Sequence, residues 1–375
     1  MNPVNVLYVY GDILRHGGIE NFMMNYFRNI DSNVIHIDFA VQGKRRGAFD
    51  DEIESAGSCI YRLPKPGRNP FRYTHELKKI FKSGRYQIIH SHCDAMNFRI
   101  LRLAEECNVP VRISHSHNIN HVLQKQSILK IYYYEYSRKK VAEYASICYA
   151  CSEKAGRWMY GNRHFKVIPN AIELDKFLFD SDKRKVLRNR YNISENTIVL
   201  GNVGRFDVQK NQLFLVDLLK MLSEKSREYR LLLVGNGWMR KHIEKKIREY
   251  NLKENVIFTG EVDNPQDYYN MMDIFLMPSL FEGYAIALEE AEVNGLPCLA
   301  SEYVPEEVEV LNHIDFIRLD KDVWMKKILK LSPVERYADA TEELKKNGYD
   351  IKVAAKRLQN EYIRLYREAR EKGNV

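Results

Sequence analysis

The chain has 375 residues, 45% of them hydrophobic and 29% charged, with six cysteines and a formal net charge of +8. That length suits two or three domains with sizeable cores, and so few cysteines exclude a disulfide scaffold and make a reducing cytoplasm the expected compartment. No apolar run reaches the roughly 18 residues of a membrane span, because the most apolar region, 274–288, is broken by Pro278 and Glu282.

The opening residues, MNPVNVLYVYGD, lack a basic n-region and turn polar at Asp12, so they read as a β-strand and not as a signal peptide. Short β-branched runs then alternate with longer amphipathic stretches. Strands are predicted at 5–10, 34–40, 59–63, 87–91, 111–114, 145–150 and 166–169, then at 197–203, 230–234, 256–259, 274–277 and 298–300. Regular alternation of strand and helix implies parallel sheets covered by helices on both faces. The expected class is therefore α/β, doubly wound, twice over. A charged segment, 171–196, separates the halves. The tail, 350–372, is predicted as a long charged helix with Val353, Leu358, Tyr362 and Leu365 near helical spacing, either solvated or packed back on another domain.

The charge is unevenly placed. Residues 1–172 hold 25 Lys and Arg against 15 Asp and Glu, the remainder 33 against 35, and within that remainder 356–375 hold six against three. A basic front half suits an anionic partner: nucleic acid, acidic lipid headgroups or a phosphorylated substrate. A merely soluble lysine-rich surface is the plain alternative.

Several motifs fall at strand-to-helix turns. Gly17 and Gly18 follow the first strand, where glycine lets the backbone approach a ligand and a helix N-terminus offers amides to a phosphate. The spacing from Gly11 is wrong for a dinucleotide fingerprint, which argues against a nicotinamide enzyme. In GNVGRFDVQKN, Arg205 and Lys210 surround a turn loosened by Gly204 and could clamp a diphosphate. LLLVGNGWM places Gly235 and Gly237 at the carboxyl edge of a sheet, where open α/β sheets bind ligands. In PSLFEGYAIALEEAEVNGLPCLAS, Glu282 lies in a loop, Gly283 and Tyr284 open a helix and Glu290 follows eight residues after Glu282. Two such carboxylates can accept hydrogen bonds from sugar hydroxyls and from a neighbouring diol such as a ribose. Glu289 and Glu292 read as solvated.

GGIE, RISHSHN, CSEKA, VIPNAIELDKF, GRFDVQKN, VGNG, PSLFEG and NGLPCLAS, in this order over essentially the whole chain, together resemble the family-four retaining glycosyltransferases of GT-B fold, in particular bacterial members that build capsular and exopolysaccharides. The resemblance implies two Rossmann-like domains facing across a cleft. The first, 1–172, would bind the acceptor and receive the returning helix 356–375; the second, 173–355, would hold a nucleotide-sugar. It implies donor diphosphate on Arg205 and Lys210, ribose on Glu290, the donor sugar on Glu282, and a phosphate near the amide of Gly18 or Gly17. Gly283, Tyr284 and Ala285 stand where the family has G-F-G. The implied reaction moves a hexose or N-acetylhexosamine from the donor, UDP being the family's commonest carrier, to a saccharide, with a lipid-diphosphate-linked one expected.

His90 and His92 end one predicted strand, and His115, His117 and His121 follow another. No accompanying Cys or carboxylate has zinc-like spacing, so no metal is expected there. The family pattern places one histidine beside the reacting sugar; His117, followed by Asn118, fits, with His115 the alternative. Cys148-Tyr149-Ala150-Cys151 spells C-x-x-C inside an apolar strand, the wrong context for a redox pair. Asp180-Ser181-Asp182 and Asp320-Lys321-Asp322 spell D-x-D in polar segments and read as solvated loops, which leaves the reaction metal-independent and without a cofactor. Tyr132, Tyr133, Tyr134 and Tyr136 precede Arg138, Lys139 and Lys140, and with Lys44, Arg45 and Arg46 they suit peripheral contact with an anionic cytoplasmic leaflet. The rival enzymes are a nucleotide-sugar epimerase or hydrolase of similar fold. A nucleic-acid-binding protein lacks any recognition motif here, so nucleic acid is not an expected partner.

Overall fold

The structure, a computed structural model, describes residues 3–117, 128–225, 228–331 and 335–373. His121 and Asn118 lie outside them. The chain divides into two compact units, Met1–Ala171 with Ile351–Val375, and Ile172–Asp350.

In the first unit the strands are β1 (Val4–Tyr10), β2 (Ile35–Gln42), β3 (Ile60–Leu63), β4 (Ile88–His92), β5 (Val111–Ser116), β6 (Ile147–Ala150) and β7 (Lys166–Val167). They pair in parallel in the order β3-β2-β1-β4-β5-β6-β7. Alternation along β1 serves two cores: Val6 and Tyr8 enter one, Leu7 and Val9 the other. Helix α1 (Gly18–Asn29) covers the first face beside α5 (Ile351–Glu371), and α2 (Ile128–Tyr144) precedes β6. Leu358, Tyr362 and Leu365 of α5 are buried in that core, and Tyr362 OH lies 3.1 Å from Tyr8 OH. The apolar face of α5 starts at Ile351, Ala354 and Ala355, so these residues join the first unit and not the second, where the sequence boundary at 355 put them. The predicted strand 166–169 shortens to two residues, since Pro169 has no amide for the ladder.

The second unit contains β8 (Ile198–Val203), β9 (Tyr229–Val234), β10 (Val256–Gly260), β11 (Ile274–Met277), β12 (Cys298–Ser301) and β13 (Ile314–Ile317), parallel in the order β10-β9-β8-β11-β12-β13. Strand β13 has no counterpart in the sequence reading: it is a four-residue edge strand, IDFI, three of whose residues are half-exposed, so it carries neither clean alternation nor a buried run. Val199 and Leu200 again serve opposite cores. Helices α3 (Gln212–Ser223) and α4 (Ile286–Val293) follow β8 and β11.

The two D-x-D segments are helix starts. Asp180 accepts from the amides of Asp182 and Lys183, and Asp320 from those of Asp322 and Val323, so the first aspartate of each is an N-cap. All six cysteines are free thiols.

Candidate active site

In an open parallel sheet the loops diverge, leaving a crevice, where the strand order reverses. In the second unit that point lies between β8, which neighbours β9, and β11, which neighbours β12. The loop after β8 carries Gly204 to Lys210 and the loop after β11 carries Pro278 to Tyr284, so the crevice is flanked by the two charged motifs.

The loops are tied together by backbone and side chain. Leu280 N–H donates to Gln209 O at 2.8 Å and Asn211 Nδ2 to Pro278 O at 3.1 Å. Asn211 takes a left-handed φ of 55° as it turns the chain into α3. Across this junction Lys210 Nζ reaches Glu282 Oε1 at 2.7 Å, and Gln209 Nε2 donates to Glu282 Oε2 at 3.1 Å. The Glu282 side chain is 5% exposed and that of Lys210 19%. Arg205 stands apart from this pair: its side chain is 68% exposed, and Asp207 Oδ2 holds its Nε at 2.8 Å while Asp207 Oδ1 accepts from Lys210 N–H at 3.1 Å. Gln209 and Asp207 were within the motif seen in the sequence, but nothing there marked them as the residues that orient its cations.

Gly204 and Gly235 have φ of 152° and 126°, which an L side chain rarely adopts. A Cβ on Gly235 would stand 2.2 Å from Gly204 O, and one on Gly237 2.2 Å from Phe206 O. These glycines admit a neighbouring loop's backbone, so the room expected at this edge for a ligand is partly filled by the chain itself.

Helix α4 is buried nearly all round, which corrects the expectation for two of its glutamates. Glu289 is fully buried and accepts from Tyr284 OH at 3.0 Å; Glu292 accepts from the amides of Val310 and Leu311 at 3.1 and 3.2 Å and pins that turn to the helix. Burial raises the Glu289 carboxyl well above its ordinary range and pushes Glu292 up to about 7 against those backbone bonds. Glu290 is also buried, and burial pushes its carboxyl up to about 7, opposed by a 2.5 Å hydrogen bond with Tyr269 OH. Tyr269 lies 21 residues earlier, in a segment whose sequence carries no signal for this contact.

In the first unit Gly17 caps α1. A Cβ there would come 2.5 Å from Glu20 Oε2, whereas one on Gly18 would meet nothing within 4 Å. A carboxylate thus already lies against Gly17, and Gly18 is the more open of the two. His117 directly follows β5 and retains slight exposure, whereas His115 is fully buried within the strand. The His117 N–H donates to Asp94 Oδ1 at 2.9 Å, and burial lowers its imidazole to about 4, so the ring is neutral at pH 7. His90, His92, His115 and His117 come together as one buried cluster.

Along α2, Ile128, Tyr132, Tyr133 and Tyr136 are exposed, Tyr132 at 73%. Tyr134 is only half-buried but packs near Trp158. The adjacent cations are partly spent: Arg138 bonds Glu135 at 2.8 Å, Lys140 bonds Glu143 at 2.8 Å and Arg46 bonds Glu54 at 2.7 Å. Among the described residues no helix is long and apolar enough to cross a membrane.

Two Rossmann-like units, each a parallel sheet covered by helices, are the architecture of the GT-B fold. Residues 16–176 match the Glycosyltransferase Family 4 model and residues 183–351 the Glycosyl transferases group 1 model. EpsF of Bacillus subtilis (strain 168), itself assigned as a glycosyltransferase, is 30% identical over 372 residues, covering 95% of this chain and 96% of its own. The chain belongs to this glycosyltransferase family. The capsular polysaccharide biosynthesis glycosyltransferase CapH of Staphylococcus aureus is 26% identical, covering 96% and 99%. An Escherichia coli UDP-Gal:alpha-D-GlcNAc-diphosphoundecaprenol alpha-1,3-galactosyltransferase is 23% identical, covering 80% and 79%. Among solved structures, sucrose-phosphate synthase from Thermosynechococcus elongatus superposes with a TM-score of 0.78 at 20% identity, covering 97% of this chain and 100% of its own. Anabaena HepE in complex with UDP-glucose gives 0.71 at 16%, covering 98% of both. These likenesses show the fold.

Proposed function

We propose that this glycosyltransferase moves a hexose or N-acetylhexosamine from a UDP-sugar, with retention of anomeric configuration, to a saccharide carried on a lipid diphosphate in bacterial surface polysaccharide synthesis. The observation that carries this reading is the Lys210–Glu282 pair at the β8/β11 switch point, a cation and a carboxylate brought together where an α/β sheet takes its ligand. The relatives' names support the substrate classes: one acts from UDP-Gal on a diphosphoundecaprenol-linked sugar, another in capsule synthesis.

Lys210 and Arg205 supply fixed positive charge to the departing diphosphate, so the transfer step itself calls for no metal ion. Glu282 accepts from hydroxyls of the donor sugar and Glu290 from the ribose, with Gly204, Gly235, Gly283 and Tyr284 around the diphosphate and sugar. In the first unit Gly18, beside Gly17, offers its amide to a phosphate, and His117 serves the transfer as a neutral imidazole. The donor's anomeric C–O bond breaks toward the diphosphate as the acceptor hydroxyl attacks the same face, and its proton passes to the departing phosphate oxygen. The exposed tyrosines of α2 dock the chain on the cytoplasmic leaflet, where a lipid-linked acceptor resides.

A thermal-shift screen of nucleotide sugars, followed by product analysis with and without a lipid-diphosphate saccharide, tests this. Stabilisation by a UDP-sugar and a product formed only with acceptor support it. Conversion of the donor alone would indicate an epimerase or hydrolase, and no response to any nucleotide sugar would sink the reading.

A further inference from the structure

Strands β4 and β5 are parallel neighbours, and alternate residues of a strand share a face. His90 and His92 of β4 therefore meet His115 of β5 and His117 just beyond it, with ring centroids 4.1 to 5.4 Å apart. Hydrogen bonding accounts for only some of their nitrogens. His90 Nδ1 lies 2.6 Å from Tyr362 OH, His90 Nε2 3.1 Å from His115 Nδ1, and His92 Nδ1 2.8 Å from His117 Nε2. His92 Nε2 and His115 Nε2 are buried with no hydrogen-bond partner among the described residues. A desolvated ring nitrogen without a partner is costly, and an ion held between the rings would give His92 Nε2 the partner it lacks.

We propose that His90, His92 and His115 hold one divalent transition-metal ion, zinc by ligand type, as a structural ion of the first unit. One ring nitrogen from each can be chosen so that all three lie within 4.8 Å of one another. The 3.1 Å between His90 Nε2 and His115 Nδ1 already approximates the edge, about 3.3 Å, of a tetrahedron with bonds of about 2.0–2.1 Å. The third nitrogen, within 4.8 Å of the other two, would have to close to that spacing on binding. Three imidazoles suit zinc among the common divalent ions. The outer partners are also in place: Tyr362 OH at His90 Nδ1, backed by Tyr8 OH, and His117 Nε2 at His92 Nδ1, each able to fix the tautomer that turns a lone pair inward. Burial closes the site to bulk water, so the ion would fasten β4 and β5 together and, through Tyr362, hold α5 to the sheet. It would also fix the tautomer of His117.

The test uses the full chain, stripped with a chelator and titrated with Zn2+ or Co2+ alone. About one equivalent should bind; Co2+ should show the visible absorbance of a low-coordinate ion, and Zn2+ should raise the melting temperature. The paired substitution His92→Gln and His115→Gln should abolish all three effects. X-ray absorption of the Zn-loaded wild type should show a nitrogen and oxygen shell at about 2.0 Å with no sulfur, and this decides the matter even if the variant fails to fold. A folded wild type that takes up no metal, binding that survives the substitutions, or a shell containing sulfur would overturn the proposal.

Discussion

The ammonium of Lys210 lies 2.7 Å from Oε1 of Glu282, a residue 72 positions later in the chain. The pair joins two motifs that the sequence reading assigned to different parts of a donor, the diphosphate and the sugar. Glu282 is the more buried partner. Substituting Lys210→Ala leaves the Glu282 carboxylate desolvated with, among the described residues, only Gln209 to satisfy it, and breaking such a pair costs more than making it gained. The expected loss is about 2 kcal/mol of unfolding free energy, below the range for fully buried pairs because Lys210 is partly exposed. Urea denaturation of the variant measures it; an unchanged midpoint would contradict the geometry.

Arg205 is expected to behave in the opposite way. Its side chain is largely exposed, and its Asp207 contact is a surface pair. Arg205→Ala should leave stability within about 0.5 kcal/mol of wild type, yet lower kcat by about a hundredfold if the guanidinium stabilises the departing diphosphate. A variant with full kcat would remove Arg205 from the machinery.

The raised carboxyl of Glu290 gives a signed pH dependence. A group pushed from 4.5 to about 7 on folding contributes stability fully present below 4.5 and lost as the pH rises through about 7. The amide in Glu290→Gln does not titrate, so the variant should gain on wild type between pH 5 and pH 8, by up to about 3 kcal/mol. Melting curves at the two pH values test this; a difference that shrinks as the pH rises would show the carboxyl to be ionised in the fold. Tyr269→Phe should separately raise the KM for the nucleotide-sugar severalfold with a smaller effect on kcat, because Tyr269 positions Glu290 and touches no reacting atom.

Gly235→Ala should be among the most damaging single-methyl additions in the second unit. It forces an alanine to φ of 126° and drives its Cβ to 2.2 Å from Gly204 O, separating the loops after β8 and β9. A loss of about 3 kcal/mol or failure to accumulate folded protein is expected; an alanine variant with wild-type stability would show that the loops can part freely.

The membrane reading rests on Tyr132 and Tyr136, exposed one helical turn apart on α2. Co-sedimentation with vesicles rich in anionic lipid should fall when both are replaced by alanine. Since several nearby cations are already paired, salt should weaken binding less than that substitution does. No binding at low salt would refute the docking surface.

Much of this was legible in the sequence because parallel strands buried on both faces write themselves as β-branched runs, such as VNVLYVY and IVLGNV, and because glycines mark the turns between them. Edge strand β13 escaped because a half-exposed strand of four residues leaves neither signature. At the site, the charged residues could be named from their motifs, but their pairing could not: the contact of Lys210 with Glu282, like that of Tyr269 with Glu290, is made by loops that the sheet order brings together. Glu289 and Glu292 were misread for the same reason. Three acids on one short helix look solvated until the turn at Val310 and the hydroxyl of Tyr284 are seen to meet two of them. The histidine cluster likewise depends on β4 and β5 being neighbours, which spacing alone does not reveal.

The central claim is that the β8/β11 switch point binds the nucleotide-sugar. Calorimetric titration of the full chain and of its Lys210→Ala variant with the UDP-sugar that most raises the melting temperature tests it most directly. Saturable binding near one equivalent by the wild type and at least tenfold weaker binding by the folded variant are expected. Undiminished binding by that variant would contradict it.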